Sequence, residues 1–298
     1  MYAIYPVVVM LIWSGNVIVS RLAVGAIHPS AITFYRLVFA LLLMSSFVLR
    51  PLWRNRAAVK PQLPKLFFLG FLAFALFQSL SYAAAQTTTA TNMAIITALT
   101  PLLTLLLSML LLGELPTAGM LLGGCIAFAG LLDLIGQGHP LALWQNGVHR
   151  GDVLMLGSAS AYALYGVLVR RWHVGLPAWQ STWVQACGAL LCMLPMLLRL
   201  PLQQALPNRA SLPLILYAGT LASVVLPFLW MESIKHLGPA RCSAYISLLP
   251  VFTALIAVSF FGETLHAYHL LGGGVALAGV VIAQRWKQPL VLRRVALR

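Results

Sequence analysis

Ten apolar runs, each long enough to cross a membrane as a helix, constrain the fold of this chain more than any other feature. A spanning α-helix needs roughly 20 apolar residues. Because hydrocarbon leaves the backbone groups of an open strand unpaired, runs this long are predicted to be helices and not barrel strands. The predicted spans cover residues 5–22, 29–49, 65–85, 91–112, 118–135, 152–170, 178–198, 212–234, 239–261 and 267–285.

The composition agrees with an integral membrane protein. Of the 298 residues, 61% are hydrophobic and only 8% are charged, whereas a soluble domain carries about 25% charged residues. The net charge of +14 would suggest a nucleic-acid partner in a soluble protein. Here the basic residues lie between the apolar runs, as membrane-orienting charges do. We therefore expect a lipid bilayer and a small molecule as partners, and no nucleic acid.

The distribution of Lys and Arg predicts how the chain is oriented across the membrane. The connection after the second run holds Arg50, Arg54, Arg56, Lys60 and Lys65. The positive-inside rule places this connection in the cytoplasm, and with it both termini. The predicted location is a bacterial inner membrane. The N-terminus has no basic segment before its first apolar run, so that run is predicted to be a retained helix and not a cleaved signal.

The sequence contains an internal repeat, in which the second half matches the first after a shift of 149 residues. Pro101 falls on Pro250, Gly113 on Gly262 and Glu114 on Glu263, and 14 of the 32 residues from 99 to 130 are identical to their counterparts. Each half has five runs, an odd number, so the second half starts on the opposite side of the membrane. We predict two inverted repeats, residues 1–149 and 150–298, in one integrated transport domain, with a substrate site near the midplane between them.

These features resemble the EamA-type drug/metabolite transporters: ten spans in two halves, a proline in the fourth and ninth runs, Gly-Glu after each, and small residues in the fifth and tenth. The resemblance implies ten helices in two five-helix repeats around a central cavity, and export as the default direction. We expect a secondary-active transporter that exports a small amino acid or amino-acid-like metabolite by alternating access. A multidrug or other metabolite carrier on the same fold is the alternative, and a membrane-embedded enzyme or a channel is favoured less.

Three prolines lie near the middle of their spans: Pro101, Pro250 and Pro227. A proline lacks an N–H and crowds the carbonyl four residues earlier, so each is predicted to kink its helix, either as part of a gate or as a packing feature. The carbonyls of Thr97 and Ile246 are then expected to lack helix partners and to be open to a ligand.

Polar and aromatic side chains within the spans are the candidate substrate contacts. Glutamine and asparagine side chains find no hydrogen-bond partners in lipid. These residues are therefore expected to face the bundle interior and to bond a ligand or a neighbouring helix. Aromatic rings with polar tips suit an amphipathic small molecule; two of them, Tyr162 and Tyr165, are the counterparts of Trp13 and Asn16. The candidates are Trp13, Asn16, Gln78, Tyr82, Asn92, Tyr162, Tyr165, Trp230 and Tyr245.

Arg36 is the one basic residue well inside a run, and its counterpart in the repeat is Gln185. An arginine at a helix centre costs roughly 2.5 to 3.5 kcal/mol on insertion scales. Two interpretations stay open, an anchor for a substrate carboxylate and a structural role in the fold.

Other chemistry has little support in the sequence. The cysteines show no metal-ligand spacing, and the chain has no Walker motif and no Ser/His/Asp arrangement, so no catalytic residue, metal or cofactor is predicted and the protein is not expected to be an enzyme. Glu114 and Glu263 are interpreted as capping charges of the helices that follow them. Small residues in the fifth and tenth runs predict close packing, within the bundle or between protomers of a monomeric or dimeric protein: Gly119, Gly123, Ala127, Gly274 and Ala278.

Overall fold

The computed structural model describes residues 4–115, 117–139, 141, 149–237, 242, 245–246, 248–286 and 288, which form helices joined by short connections. Nine helices among these residues are long and apolar enough to span a membrane, and a tenth is shorter. They are α1 (Ile4–Leu22), α2 (Pro29–Arg54), α3 (Arg56–Ala84), α4 (Ala90–Leu112), α5 (Ala118–Ile135), α6 (Arg150–Trp172), α7 (Ala178–Leu198), α8 (Ser211–Thr220, Leu221–Val225 and Leu226–Leu237), α9 (Leu248–Phe261) and α10 (Ala267–Arg285).

The predicted spans are confirmed, with three differences. Helix α3 begins at Arg56 and not at residue 65. Helix α2 continues past residue 49 to Arg54, because helical hydrogen bonding does not stop where the hydrocarbon ends. Helix α9 is described only from Leu248 onward, and most of the predicted residues 239–247 lie outside the described part of the chain.

The helices pack in pairs that the shift of 149 residues interchanges. Helix α1 contacts α9 as α6 contacts α4, and α3 contacts α7 as α8 contacts α2. Helices α2 and α7, which are counterparts, contact each other, and so do α5 and α10. The fold is therefore two inverted five-helix repeats, related by a pseudo-twofold axis between them.

Helices α5 and α10 approach backbone to backbone. A Cβ added at Gly130 would overlap the backbone nitrogen of Ala276, and a Cβ added at its counterpart Gly279 would overlap the backbone nitrogen of Ala127. The predicted Gly274 and Ala278 are not part of this contact: Gly274 has open space around it and both residues are exposed. The small residues of α10 that pack are instead Gly272, Ala276 and Gly279.

Pro101 interrupts α4. The helix is broken at Leu99, and Pro101 is the second residue of the segment that restarts at Thr100. The Thr97 carbonyl is not open, however, because the Thr100 hydroxyl donates to it at 2.6 Å. In α9, Pro250 is likewise in the first described turn, and the Ile246 carbonyl accepts from the Leu249 N–H at 3.0 Å. The expectation of two free carbonyls is therefore wrong.

Two helices contain π-helical segments at equivalent positions. They are Phe71–Leu76 in α3 and Leu221–Val225 in α8, which coincide within one residue after the shift. Pro227 follows the segment in α8, and the segment in α3 has no proline. A π-turn widens a helix locally and is often found at functional sites; both segments border the cavity described below.

The packing of α5 on α10 leads to a prediction of stability. Gly279→Leu places a side chain where the backbone of Ala127 lies, and overpacking of this kind costs about 1–3 kcal/mol. The purified variant should unfold several degrees below wild type in a detergent thermal-shift assay.

The matched control is Gly274→Leu on the same helix, where an added side chain meets open space. Equal loss of stability in the two variants would contradict the assigned packing face.

Candidate functional site

A cavity of about 400 Å³ lies between the two halves of the molecule. Its walls come from α1, α2, α3, α6, α7 and α8, and it reaches Val174 and Leu176 in the connection between α6 and α7. We call the membrane face with this connection face 2, and the opposite face, with residues 85–89, face 1. The cavity extends from face 2 towards the middle of the bundle.

The lining follows the pseudo-twofold symmetry. Six pairs of lining residues are exchanged by the shift of 149 residues, so the cavity surrounds the axis that relates the halves. The pairs are Trp13 and Tyr162, Asn16 and Tyr165, Arg36 and Gln185, Ala73 and Ala222, Phe77 and Leu226, and Gln78 and Pro227.

Arg36 supplies the positive charge of the cavity wall. Its side chain is only 3% exposed and is held by three neutral oxygens. It donates to Gln78 Oε1 at 2.7 Å, to Tyr82 Oη at 3.3 Å, and to Ser223 Oγ at 2.9 and 3.2 Å. Among the described residues no carboxylate lies within ion-pair distance of it.

Ser223 shows how the π-segment of α8 serves this site. Its hydroxyl donates to the carbonyl of Ala218, five residues earlier, at 2.7 Å. With that proton engaged, the oxygen is oriented to accept from the Arg36 guanidinium. The sequence pointed to the carbonyl of Ser223, four residues before Pro227, but not to this role of its hydroxyl.

Aromatic rings form another part of the cavity wall. Tyr162 stacks on Tyr165 at 5.7 Å between centroids, lies 4.8 Å from Phe77, and meets Trp13 edge-on at 6.3 Å. Asn16 borders these rings, and its side-chain oxygen is buried with no hydrogen-bond partner among the described residues. The cavity thus combines an uncompensated cation, an aromatic surface and an unused acceptor.

The structure brings seven of the ten candidate contacts to this cavity and leaves three outside its lining. Tyr82 is buried behind Arg36 and bonds it. Asn92 lies in the first turn of α4, near face 1. Tyr245 packs in a cluster with Met10 and Leu249. Of the three prolines, Pro227 borders the cavity, and Pro101 and Pro250 do not.

Polar contacts close face 1. Asp152 near the start of α6 is 2% exposed and accepts from the Thr88 hydroxyl and, at 3.4 Å, from the Asn92 amide. Gly151 allows this contact, since a Cβ there would collide with the carbonyl of Ala84. These residues join α6 to the connection between α3 and α4.

Glu263, in the connection between α9 and α10, contacts α4 and α1 at face 1. It accepts from the Ala90 N–H at 2.8 Å and from the Thr91 hydroxyl at 3.0 Å, and lies 4.0 Å from Arg21 at the end of α1. The predicted role of this residue is therefore wrong: Glu263 caps α4, and not the helix that follows it. Helix α10 is capped by His266, and α5 by Thr117.

The counterparts of Arg21 and Glu263 are also an ion pair. Arg170 at the end of α6 lies 2.6 Å from Glu114, at face 2. Gly113 and Gly262, which precede the two glutamates, both have positive φ, 68° and 64°, and end α4 and α9. In each copy of the repeated Gly-Glu, the glycine ends a helix and the glutamate forms an ion pair. One copy lies at each face.

Comparison with known proteins agrees with this architecture. A profile described as the EamA-like transporter family matches residues 1–135 and, separately, residues 149–284. The chain belongs to the EamA-like transporter family. It is thus a multi-pass integral membrane protein whose two family matches coincide with the two structural repeats.

Individual relatives are distant but cover nearly the whole chain. An "Uncharacterized transporter YyaM" of Bacillus subtilis is 25% identical over 89% of this chain and 87% of its own length. An "Uncharacterized transporter" of Archaeoglobus fulgidus is 27% identical over 92% and 93%, respectively. A protein of known crystal structure shares the fold with a TM-score of 0.62 at 17% identity, over 95% of this chain and 96% of the other.

The support of Arg36 leads to a second prediction. Ser223→Ala removes the acceptor of two guanidinium N–H groups, and hydrogen bonds to charged groups are worth about 1.5–3 kcal/mol. We expect a lower unfolding temperature than wild type in detergent.

Thr220→Ala is the matched control, because this hydroxyl on the same helix donates to the carbonyl of Leu216 and is not an acceptor of Arg36. If both variants were as stable as wild type, Ser223 would not hold the arginine.

Proposed function

We propose that this protein is a secondary-active transporter that exports a small amino acid or amino-acid-like metabolite by alternating access. The observation that carries the proposal is a cavity on the pseudo-twofold axis with a buried, uncompensated arginine in its wall. In this proposal face 2 is cytoplasmic, both termini lie in the cytoplasm of a bacterium, and the repeats are residues 1–149 and 150–298.

The charge of Arg36 selects the chemistry of the substrate. A guanidinium removed from water is stabilised most by an anion, and its planar N–H groups match a carboxylate. The neutral oxygens around it accept four hydrogen bonds, and among the described residues no carboxylate is its counter-ion. A bound carboxylate would supply that counter-ion.

The remaining walls suit the rest of an amino acid. The unpaired oxygen of Asn16 can accept from an ammonium group. The rings of Trp13, Tyr162 and Tyr165 can cover an apolar side chain and interact with a positive charge. These residues and Gln78 are the proposed substrate contacts, with Trp230 at the rim.

The arginine argues against the multidrug alternative for cationic compounds. A drug cation in this cavity would face the Arg36 guanidinium with no carboxylate in the lining to offset it. Two positive charges in a cavity of this size, where little water screens them, repel each other strongly. Other anionic metabolites remain compatible with the site.

The hydrogen bonds that join helices at face 1 support alternating access, whereas the two ion pairs are both formed and do not distinguish the faces. Arg21 with Glu263, and Arg170 with Glu114, are equivalent in sequence and lie at opposite faces. Inverted repeats can exchange conformations, so that a contact closing one face has a counterpart at the other. In the present conformation the contacts of Glu263 and Asp152 close face 1, while the cavity reaches face 2.

Proteoliposome counterflow with a panel of labelled solutes tests the proposal. We expect exchange of at least one amino acid and weak or no exchange of its carboxamide, which lacks the anion. Arg36→Gln should reduce the preference for the acid by about 10- to 100-fold, because a charge-assisted hydrogen bond of about 1.5–3 kcal/mol is lost.

The matched control is Arg199→Gln, which removes an exposed arginine outside the cavity lining and should keep the preference. Absence of exchange for every solute would contradict transport of this class. An unchanged acid preference in Arg36→Gln would contradict the assigned anchor.

Because Glu263 bonds α4 at face 1, its substitution is predicted to favour conformations that are open at this face. Glu263→Gln weakens its bonds to α4 and its pairing with Arg21, so conformations open at face 1 should gain population. A cysteine placed at Ala73, in a chain whose own cysteines are replaced, should react several-fold faster with an impermeant maleimide applied from face 1.

The counterpart substitution Glu114→Gln removes the ion pair at face 2 and should not speed labelling from face 1. Equal labelling rates in wild type and Glu263→Gln would argue against the proposed closing contact.

A further inference from the structure

A second cavity, of about 650 Å³, lies away from the pseudo-twofold axis. It is bordered by the end of α2, the beginning of α3 and the middle of α7. We call it the α2–α3–α7 groove. It shares no lining residue with the central cavity, so the transported molecule is not its occupant.

The interior of the groove is apolar. Leu49, Leu52, Phe67 and Cys187 line it together with the ring of Trp183. The indole N–H of Trp183 donates to the Ser45 hydroxyl at 3.0 Å, so the polar part of this ring is already bonded within the protein. Water would find few partners here, and a hydrocarbon chain would be compatible with these walls.

The rim of the groove is basic. Arg56 and Lys60 border it and are exposed, and the Arg56 guanidinium lies 5.0 Å from the ring centre of Trp53. Three more cations, Arg50, Arg54 and Lys65, lie within the same stretch of chain. Among the described residues no carboxylate is paired with Arg56 or Lys60, so a negative ligand meets a charge without competition.

The positions of rim and walls match the two parts of a lipid. Arg56 and Lys60 belong to the first two turns of α3, where the chain enters the membrane, and Trp53 is 71% exposed, as an interfacial tryptophan is. Cys187 is nine residues beyond the start of α7 at the same face, which is about 14 Å deeper at 1.5 Å per residue. The groove therefore runs from headgroup level into the hydrocarbon.

We propose that the α2–α3–α7 groove binds an anionic phospholipid, with an acyl chain between α2, α3 and α7 and the phosphate at Arg56 and Lys60. Basic pockets between membrane helices bind anionic headgroups on this principle. The bound lipid fills the space between α2, which carries Arg36, and α7, which carries Gln185, and so stabilises the packing of these two counterpart helices.

The test uses delipidated protein in detergent and a thermal-shift assay with added lipid. Phosphatidylglycerol should raise the unfolding temperature of wild type by several degrees, and phosphatidylcholine with the same acyl chains should raise it much less. The double variant Arg56→Gln/Lys60→Gln should lose the difference between the two lipids.

Two further variants separate the groove from general charge effects. Arg199→Gln/Arg209→Gln removes two exposed cations near the opposite face and should respond as wild type. Cys187→Trp keeps the basic rim, fills the groove, and should lose the response to phosphatidylglycerol. Native mass spectrometry should show one retained phosphatidylglycerol in wild type and the Arg199/Arg209 variant, and less in the other two.

Equal stabilisation by the two lipids would overturn the proposal of an anionic ligand. A wild-type response in both the Arg56/Lys60 variant and the Cys187→Trp variant would overturn its location. These results do not depend on whether any solute is transported, so the lipid site and the proposed function are tested separately.

Discussion

The structure depends on one constraint: in hydrocarbon, a backbone group released from its helix must find a partner inside the protein. The interruptions of α4 and α8 meet this demand with neighbouring hydroxyls. Thr100 bonds the carbonyl of Thr97 beside Pro101, and Ser223, within the π-segment, bonds the carbonyl of Ala218 just before that segment. The second of these hydroxyls also accepts from Arg36, so the repair of a helix and the placement of a charge are one arrangement.

The symmetry of the fold follows from contacts that the two halves make with each other. Gly130 with Ala276 and Gly279 with Ala127 are the same contact made twice. So are the Arg–Glu pairs at the two faces. Because equivalent elements meet across the axis, the space that they leave at the centre is lined by equivalent residues, and the cavity is a consequence of the packing.

The sequence was sufficient to predict the spans and the inverted repeat. The length of each apolar run and the similarity of residues 99–130 to residues 248–279 can both be read directly from the sequence. It also pointed to Arg36, Gln78 and Tyr162, because polar and aromatic groups inside a span have few alternatives to the bundle interior. It did not predict the partners of these groups. Tyr82 bonds Arg36 and Asn92 bonds Asp152, and each pairing depends on which helices become neighbours. The caps were misassigned for the same reason: Glu263 reaches a helix that precedes it by 173 residues.

Arg36 in the first repeat corresponds to Gln185 in the second, and this difference has a consequence for a molecule on the axis. A homodimer of identical halves would place the same charge on both sides of such a cavity, and a polar molecule could lie in either direction. Fusion of the two halves into one chain lets them diverge, and here only one of the two equivalent positions is cationic. The cavity therefore has a permanent electrical polarity across its width. A dipolar molecule in the cavity would therefore lie in one direction, with its negative end towards Arg36.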